Sequence, residues 1–176
     1  MSHMINQIIQ KLQDFAEYDF PVPNVTSYLS SLKLNESILK KYHLTEDSTY
    51  TRNLIHKETD FEIMIICWPP MASAPIHGHE GEKCWARVQT GKLKICNYEQ
   101  VSADPLRLNK IQEFNCEPGF LDGPADIHSV ENLSDEFASS LHVYAKPYDA
   151  CDIYDIEKGK VERKQLKFHS INGIIC

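Results

Sequence analysis

The change of texture at Tyr50 constrains the fold of this chain more than any other feature. Before it, apolar residues recur at helical spacing; after it, short β-rich runs follow one another, each ended by a turn. Ile5, Ile8, Ile9, Leu12 and Phe15 line one side of a helix, and Pro21 and Pro23 end that segment. Asn24 is placed to cap a second helix carrying Val25, Tyr28, Leu29 and Leu32, and a third is expected over 36–43. The expected strands are 50–56, the continuous apolar run 61–68, 84–90 leading through Gly91 into 92–98, then 111–115, 128–132, 139–146 and 161–168, the last behind the Lys158-Gly159-Lys160 turn. Strands this short and closely spaced predict a mainly β sandwich or small barrel. No repeat, low-complexity tract or linker interrupts the 176 residues, so one domain is expected, with a helical cap over 5–45 and a β-barrel over 50–170. Met1-Ser2-His3-Met4 reads as a cloning remnant, which keeps His3 out of any metal argument.

Twenty-five acidic against 18 basic residues leave a formal charge of -7, which argues against nucleic acid as a partner. A small anionic substrate is not barred, because one buried arginine can set the local field. No apolar run is long enough to span a bilayer. The N-terminal region also lacks the basic and apolar parts of a signal peptide, so a cytoplasmic setting is expected. The six cysteines are scattered without a C-x-x-C pair, which fits small buried hydrophobes, Cys84 excepted. A pocket complete within one chain needs no partner, so the expected state is a monomer.

His77-Gly78-His79 places two imidazoles on one face of an extended segment, where a pair can chelate one ion. His128 lies several turns away, and only the fold could bring it near. The H-x-H pair, followed by four residues, position 84, six residues and Gly91, has the spacing of the first cupin motif, and His128 with Asn132 matches the end of the second. Asn132 is placed to orient either the loop or the outer nitrogen of the ligand. A cupin ordinarily carries a glutamate ligand at position 84; this chain has Cys84, which leaves three neutral imidazoles and open coordination positions. Three histidines also occur at catalytic zinc, and iron oxygenases commonly use two histidines and a carboxylate, so the ligands alone do not choose the metal.

Further stretches narrow the family: Tyr50-Thr51-Arg52-Asn53-Leu54, Pro75-Ile76-His77-Gly78-His79 through Cys84 to Gly91, His128-Ser129-Val130-Glu131-Asn132, Ser140-Leu141-His142-Val143-Tyr144, and Pro147-Tyr148-Asp149-Ala150-Cys151. Together they resemble cysteine dioxygenase, a thiol dioxygenase branch of the cupins, over most of the expected barrel. The resemblance implies a cupin barrel, one ferrous iron on His77, His79 and His128, and conversion of L-cysteine with dioxygen to cysteine sulfinic acid. It implies that Ser140 fixes His142, that His142 positions the Tyr144 hydroxyl rather than binding metal, and that Tyr144 reaches toward substrate and oxygen. Cys84 and Tyr144 match the family's thioether pair, a cysteine sulfur joined to a tyrosine ring carbon; an unlinked buried thiol is the alternative.

Arg52 is the candidate clamp for the substrate carboxylate, because its planar fork grips both oxygens, and Tyr50 shares its strand face. A surface or salt-bridged arginine is the competing reading. Other small thiols remain as substrates: 3-mercaptopropionate lacks the amine and cysteamine the carboxylate, and the latter would leave Arg52 unpaired. A cupin acting through zinc or manganese as a Lewis acid, or a metal-binding module without oxygenase activity, would not need the Ser140–His142–Tyr144 row. The chain departs from the family pattern in Gly123-Pro124-Ala125-Asp126-Ile127, and in Tyr144-Ala145-Lys146-Pro147 where Tyr-Ser-Pro-Pro is usual. Any cis peptide at the second stretch is therefore in question.

Overall fold

In the computed structural model, which describes residues 2–176, the apolar run of the middle chain becomes the centre of a sheet covered on both faces. β1 (Thr51–Lys57) pairs with β2 (Glu62–Trp68), and every residue of β2 is buried. Ile63, Ile65 and Cys67 pack with the helices, whereas Met64, Ile66 and Trp68 join the core between the sheets. Successive side chains of a strand point to opposite faces, so a strand buried on both sides reads as a continuous apolar run.

The remaining strands are β3 (Ser73–Gly78), β4 (Lys83–Thr90), β5 (Leu93–Ala103), β6 (Leu106–Cys116), β7 (Leu121–Ala125), β8 (Ile127–Glu131), β9 (Ala138–Ala145), β10 (Ala150–Asp155), β11 (Lys160–Gln165), β12 (Ser170–Ile171) and β13 (Ile174–Ile175). One sheet runs β13-β12-β1-β2-β9-β4-β7 and the other β11-β10-β3-β8-β5-β6. Pairing is antiparallel except between β1 and β12. At the β4–β5 turn Gly91 has φ +70°, and a Cβ there would stand 2.6 Å from that of Ala138. Only glycine meets both conditions.

Three helices cover the outer face of the first sheet. α1 (His3–Ala16) buries Ile5, Ile8, Leu12 and Phe15 and is capped by Ser2, whose side chain accepts from the Ile5 amide at 3.3 Å. Ser2, His3 and Met4 therefore belong to this helix; Met1, the rest of that leading stretch, lies outside the described residues. α2 (Val22–Ser31) begins before Asn24, with Pro21 at its cap and no side-chain capping bond. Pro23 falls in the first turn, where a missing N–H leaves no intrahelical bond unmade, so it starts the helix and Asn24 does not cap it. α3 (Glu36–Tyr42) is capped by Asn35, which accepts from the Ile38 amide at 3.0 Å.

The expected strands reappear within a few residues, but five others have no counterpart in the sequence pattern: β3, β7, β10 and the short β12 and β13. β3 and β7 contain Pro75 and Pro124, which argue against strands in a sequence. β5 and β6 run longer than expected because their outer halves are polar and exposed. Among the described residues the cis prolyl bonds are Asp104–Pro105 and Gly123–Pro124, so none precedes Pro147.

Candidate metal centre and substrate pocket

His77 on β3 stands directly opposite His128 on β8 in the strand register. Opposed residues share a face of the sheet, and these two rings lie 4.7 Å apart between centroids. β3 ends at Gly78, so His79 is the first residue beyond the strand; its ring still falls 5.1 Å from His77 and 4.6 Å from His128. One ligand nitrogen from each histidine lies within 4.8 Å of the others.

The outer nitrogens show which atoms face inward. Nδ1 of His77 is 2.8 Å from the Pro75 carbonyl, and Nδ1 of His79 is 3.0 Å from that of Ala125. A carbonyl only accepts, so each Nδ1 carries the proton and each Nε2 is left with a bare lone pair. Nε2 of His79 and both ring nitrogens of His128 are buried without a partner. Buried polar atoms are rarely left so, and lone pairs converging on one point fit a metal ion. Removal from water lowers the pKa of His77 to about 4 and holds His79 and His128 well below the ordinary histidine value. Neutral imidazole is the form that binds metal.

β9 carries the neighbouring row. The Ser140 hydroxyl is 2.8 Å from His142 Nε2, and His142 Nδ1 is 3.0 Å from the Tyr144 hydroxyl. Trp68 on β2 extends the row by donating its indole N–H to Ser140 at 2.9 Å. Ser140 can then donate to Nε2, and Nδ1–H to Tyr144, which leaves the Tyr144 proton for another acceptor, either the Cys84 sulfur or a group in the pocket. Burial keeps His142 neutral and pushes the Tyr144 phenol up. The intervening Leu141, Val143 and Ala145 pack with the helices, which holds the row in place from behind.

Cys84 on β4 is paired with Tyr144 in the register. Burial raises its thiol well above the usual value and the charge of Asp122 adds to this, while a hydrogen bond with Tyr144 pulls the other way. The thiol therefore stays protonated beside the phenol.

Arg52 on β1 reaches the same pocket, which His77, His128, His142, Tyr144 and Tyr50 also line. It is salt-bridged, as the competing reading expected: Nη2 is 3.3 Å from Glu62 Oε1 in a buried ion pair, and its guanidinium lies 4.9 Å from the Phe168 ring centre. Tyr50 and Arg52 also line a neighbouring groove of about 450 Å³ that carries Lys164 and Lys167. Tyr50 stacks on Trp68 at 5.1 Å, which fixes the wall beside Arg52.

Asn132 takes the first of its two expected roles. Its amide donates to the carbonyls of Trp68, Pro69 and Glu136 at 3.0, 3.0 and 2.7 Å, so it ties the loop down and makes no contact with a histidine. Of four further residues in or beside the pocket, Trp68, Glu62 and Asp122 carried no signal of their own in the sequence, and Tyr148 stood only within the Pro147–Cys151 stretch. Trp68 reads as the end of an apolar run, and Glu62 as its polar edge. Tyr148 meets Tyr144 edge to face at 5.1 Å, and a hydrogen bond with it acts on the acidity of both phenols. Asp122 stands just before the Gly123-Pro124 pair, in a segment that did not read as a strand.

The family model described as cysteine dioxygenase type I matches residues 1–157. Cysteine dioxygenase type 1 of Rattus norvegicus is 29% identical over 167 residues, covering 91% of this chain and 82% of the relative. The Homo sapiens protein of the same name is 28% identical over 169 residues, covering 92% and 84%. Among solved structures, TT1209 from Thermus thermophilus superposes with a TM-score of 0.51 at 16% identity, over 65% of this chain and 98% of that one, a likeness of fold alone. The fold is a cupin barrel with an N-terminal helical cap, and the chain belongs to the cysteine dioxygenase type I family of enzymes.

Proposed function

We propose that this enzyme converts L-cysteine and dioxygen to cysteine sulfinic acid, both oxygen atoms ending on sulfur, with one ferrous iron held by His77, His79 and His128. The observation that carries this reading is the convergence of three imidazole nitrogens within 4.8 Å in a pocket that Arg52 also lines. The bound iron supplies the redox chemistry that joins dioxygen to sulfur. Arg52 turns the rest of its fork to the substrate carboxylate while Glu62 holds one edge of it. Tyr50 forms the wall, and Tyr144, its hydroxyl aimed by His142 and Ser140, stands where it can donate to substrate or oxygen.

Cys84 and Tyr144 are placed to form a thioether. One thiol hydrogen and one ring hydrogen are lost with two electrons, and dioxygen is the oxidant. The link would fix the phenol against the pocket. We further read the chain as one domain, since helices and first sheet share a core cluster, and as a monomer, since one chain contributes every pocket residue named. Among the described residues no helix is long and apolar enough to cross a membrane. The six cysteines are unpaired, which supports a reducing, cytoplasmic setting.

The test is turnover of L-cysteine, 3-mercaptopropionate and cysteamine by iron-loaded protein. A preference for L-cysteine is expected, because Arg52 offers a partner to the carboxylate that cysteamine lacks, and a three-histidine ion would have an open position for the amine that 3-mercaptopropionate lacks. Preference for cysteamine would contradict the clamp, and preference for 3-mercaptopropionate would overturn the substrate assignment.

A further inference from the structure

On the outer side of His128, away from the other two histidines, lies a buried carboxylate that the proposed reaction does not use. Asp122 on β7 is 5% exposed and presents Oδ2 3.6 Å from His128 Nδ1, and neither atom has a hydrogen-bond partner. Its other oxygen accepts from the Asn97 side chain at 2.8 Å. Asn97 is itself opposite His128 in the β5–β8 register, so the aspartate is aimed from the same strand pair that carries the histidine.

The three candidate ligands are thus not supported alike. His77 and His79 direct Nδ1 at neutral main-chain carbonyls, whereas His128 faces a charged acceptor. Main-chain acceptors come with any strand. A carboxylate buried without a lysine or arginine is costly and calls for a compensating positive charge nearby. A divalent ion on the far side of the imidazole would provide one.

We propose that Asp122 is a positioning residue of the metal centre. It accepts a hydrogen bond from Nδ1–H of His128, fixes the tautomer in which Nε2 is bare, and adds one negative charge to a neutral ligand set without occupying a coordination position. The 3.6 Å separation from Nδ1 is that of an ion pair, beyond hydrogen-bond length, and the role requires the carboxylate to close by about half an ångström. Outer partners of this kind change metal affinity by about 10- to 100-fold. The inference rests on the iron reading given above.

The experiment is anaerobic Fe(II) titration of the full chain against a chromogenic chelator, with the midpoint potential of the loaded protein measured alongside. Asp122→Asn keeps the shape of the side chain and removes its charge. It is expected to weaken Fe(II) binding roughly 10- to 100-fold and to raise the midpoint potential, while Asn97→Ser, which frees the carboxylate to turn away, shifts both in the same direction by less. Wild-type protein that retains iron while Asp122→Asn matches it in affinity and potential overturns this proposal alone. Wild-type protein that retains no iron overturns the metal reading and this proposal with it. Should Asp122→Asn fail to fold, Asn97→Ser decides: an unchanged affinity and potential overturns the role, and a weakened one supports it.

Discussion

Removing the guanidinium of Arg52 leaves Glu62 buried with only Lys57, at 3.8 Å, to offset its charge, so Arg52→Ala alone mixes a lost clamp with a broken ion pair. Pairing it with Glu62→Gln separates the two. Arg52→Ala is expected to raise KM for L-cysteine roughly 10- to 150-fold, the worth of a charge-assisted hydrogen bond of about 1.5–3 kcal/mol, with iron content unchanged. The double variant regains thermal stability but keeps the high KM; a wild-type KM in the double variant would remove Arg52 from substrate binding. Cys84→Ser tests the second residue-scale claim. Peptide mapping after turnover should show a Cys84–Tyr144 linked peptide in the wild type and none in the variant, and its absence from both would sink the crosslink. Cysteine, arginine and histidine at motif spacing are rare enough to be noticed in a sequence, which is why these residues were legible. Glu62, Trp68 and Asp122 were not, because each is an ordinary residue whose role comes only from what the fold sets beside it.

β7 shows where legibility fails for an element. Its Gly123-Pro124 pair reads as a turn, yet the strand pairs with β4 and brings Asp122 under His128. Gly123 has φ +116°, and a Cβ there would stand 2.3 Å from the Cys84 carbonyl oxygen. The glycine therefore permits a close approach between β7 and the strand that carries Cys84. Gly123→Ala combines a disfavoured backbone with overpacking and should destabilise by on the order of 3 kcal/mol, a fall in melting temperature of roughly 6–12 °C for a chain of this size. An unchanged melting temperature would contradict that account. The central strands were legible for the opposite reason. β2 and β9 are buried on both faces, so β2 reads as a continuous apolar run, and in β9 the alternation of Ser140, His142 and Tyr144 with Leu141, Val143 and Ala145 separates pocket from support.

Across the whole molecule, the candidate metal centre and the row beside it gather four imidazoles, His77, His79, His128 and His142, all lowered chiefly by removal from water. In the unfolded chain each titrates near 6.5. Between the two values the unfolded chain binds more protons, so acid favours unfolding. Without iron, stability should be full above about pH 6.5 and fall as the pH drops toward about 4, the value for folded His77. Glu62 and Asp122, raised by burial, act in the opposite sense and offset part of this limb, two carboxylates against four imidazoles. Urea midpoints of the iron-free protein from pH 7.5 to 4.5 measure it, and a flat profile would show that these rings are not held neutral. The division into helical cap and β-barrel was readable from periodicity. The meeting of β1, β3, β8 and β9 around one pocket was not, because long-range register is not written in local pattern.

The most direct test of the central claim is oxygen uptake by the anaerobically iron-loaded protein on addition of L-cysteine, with the product weighed after reaction in isotopically labelled dioxygen. The account predicts cysteine-dependent uptake, a sulfinic acid carrying both labelled atoms, and loss of iron and activity together in His128→Ala. Uptake without a doubly labelled product, or a His128→Ala variant that keeps its iron and its rate, would contradict it.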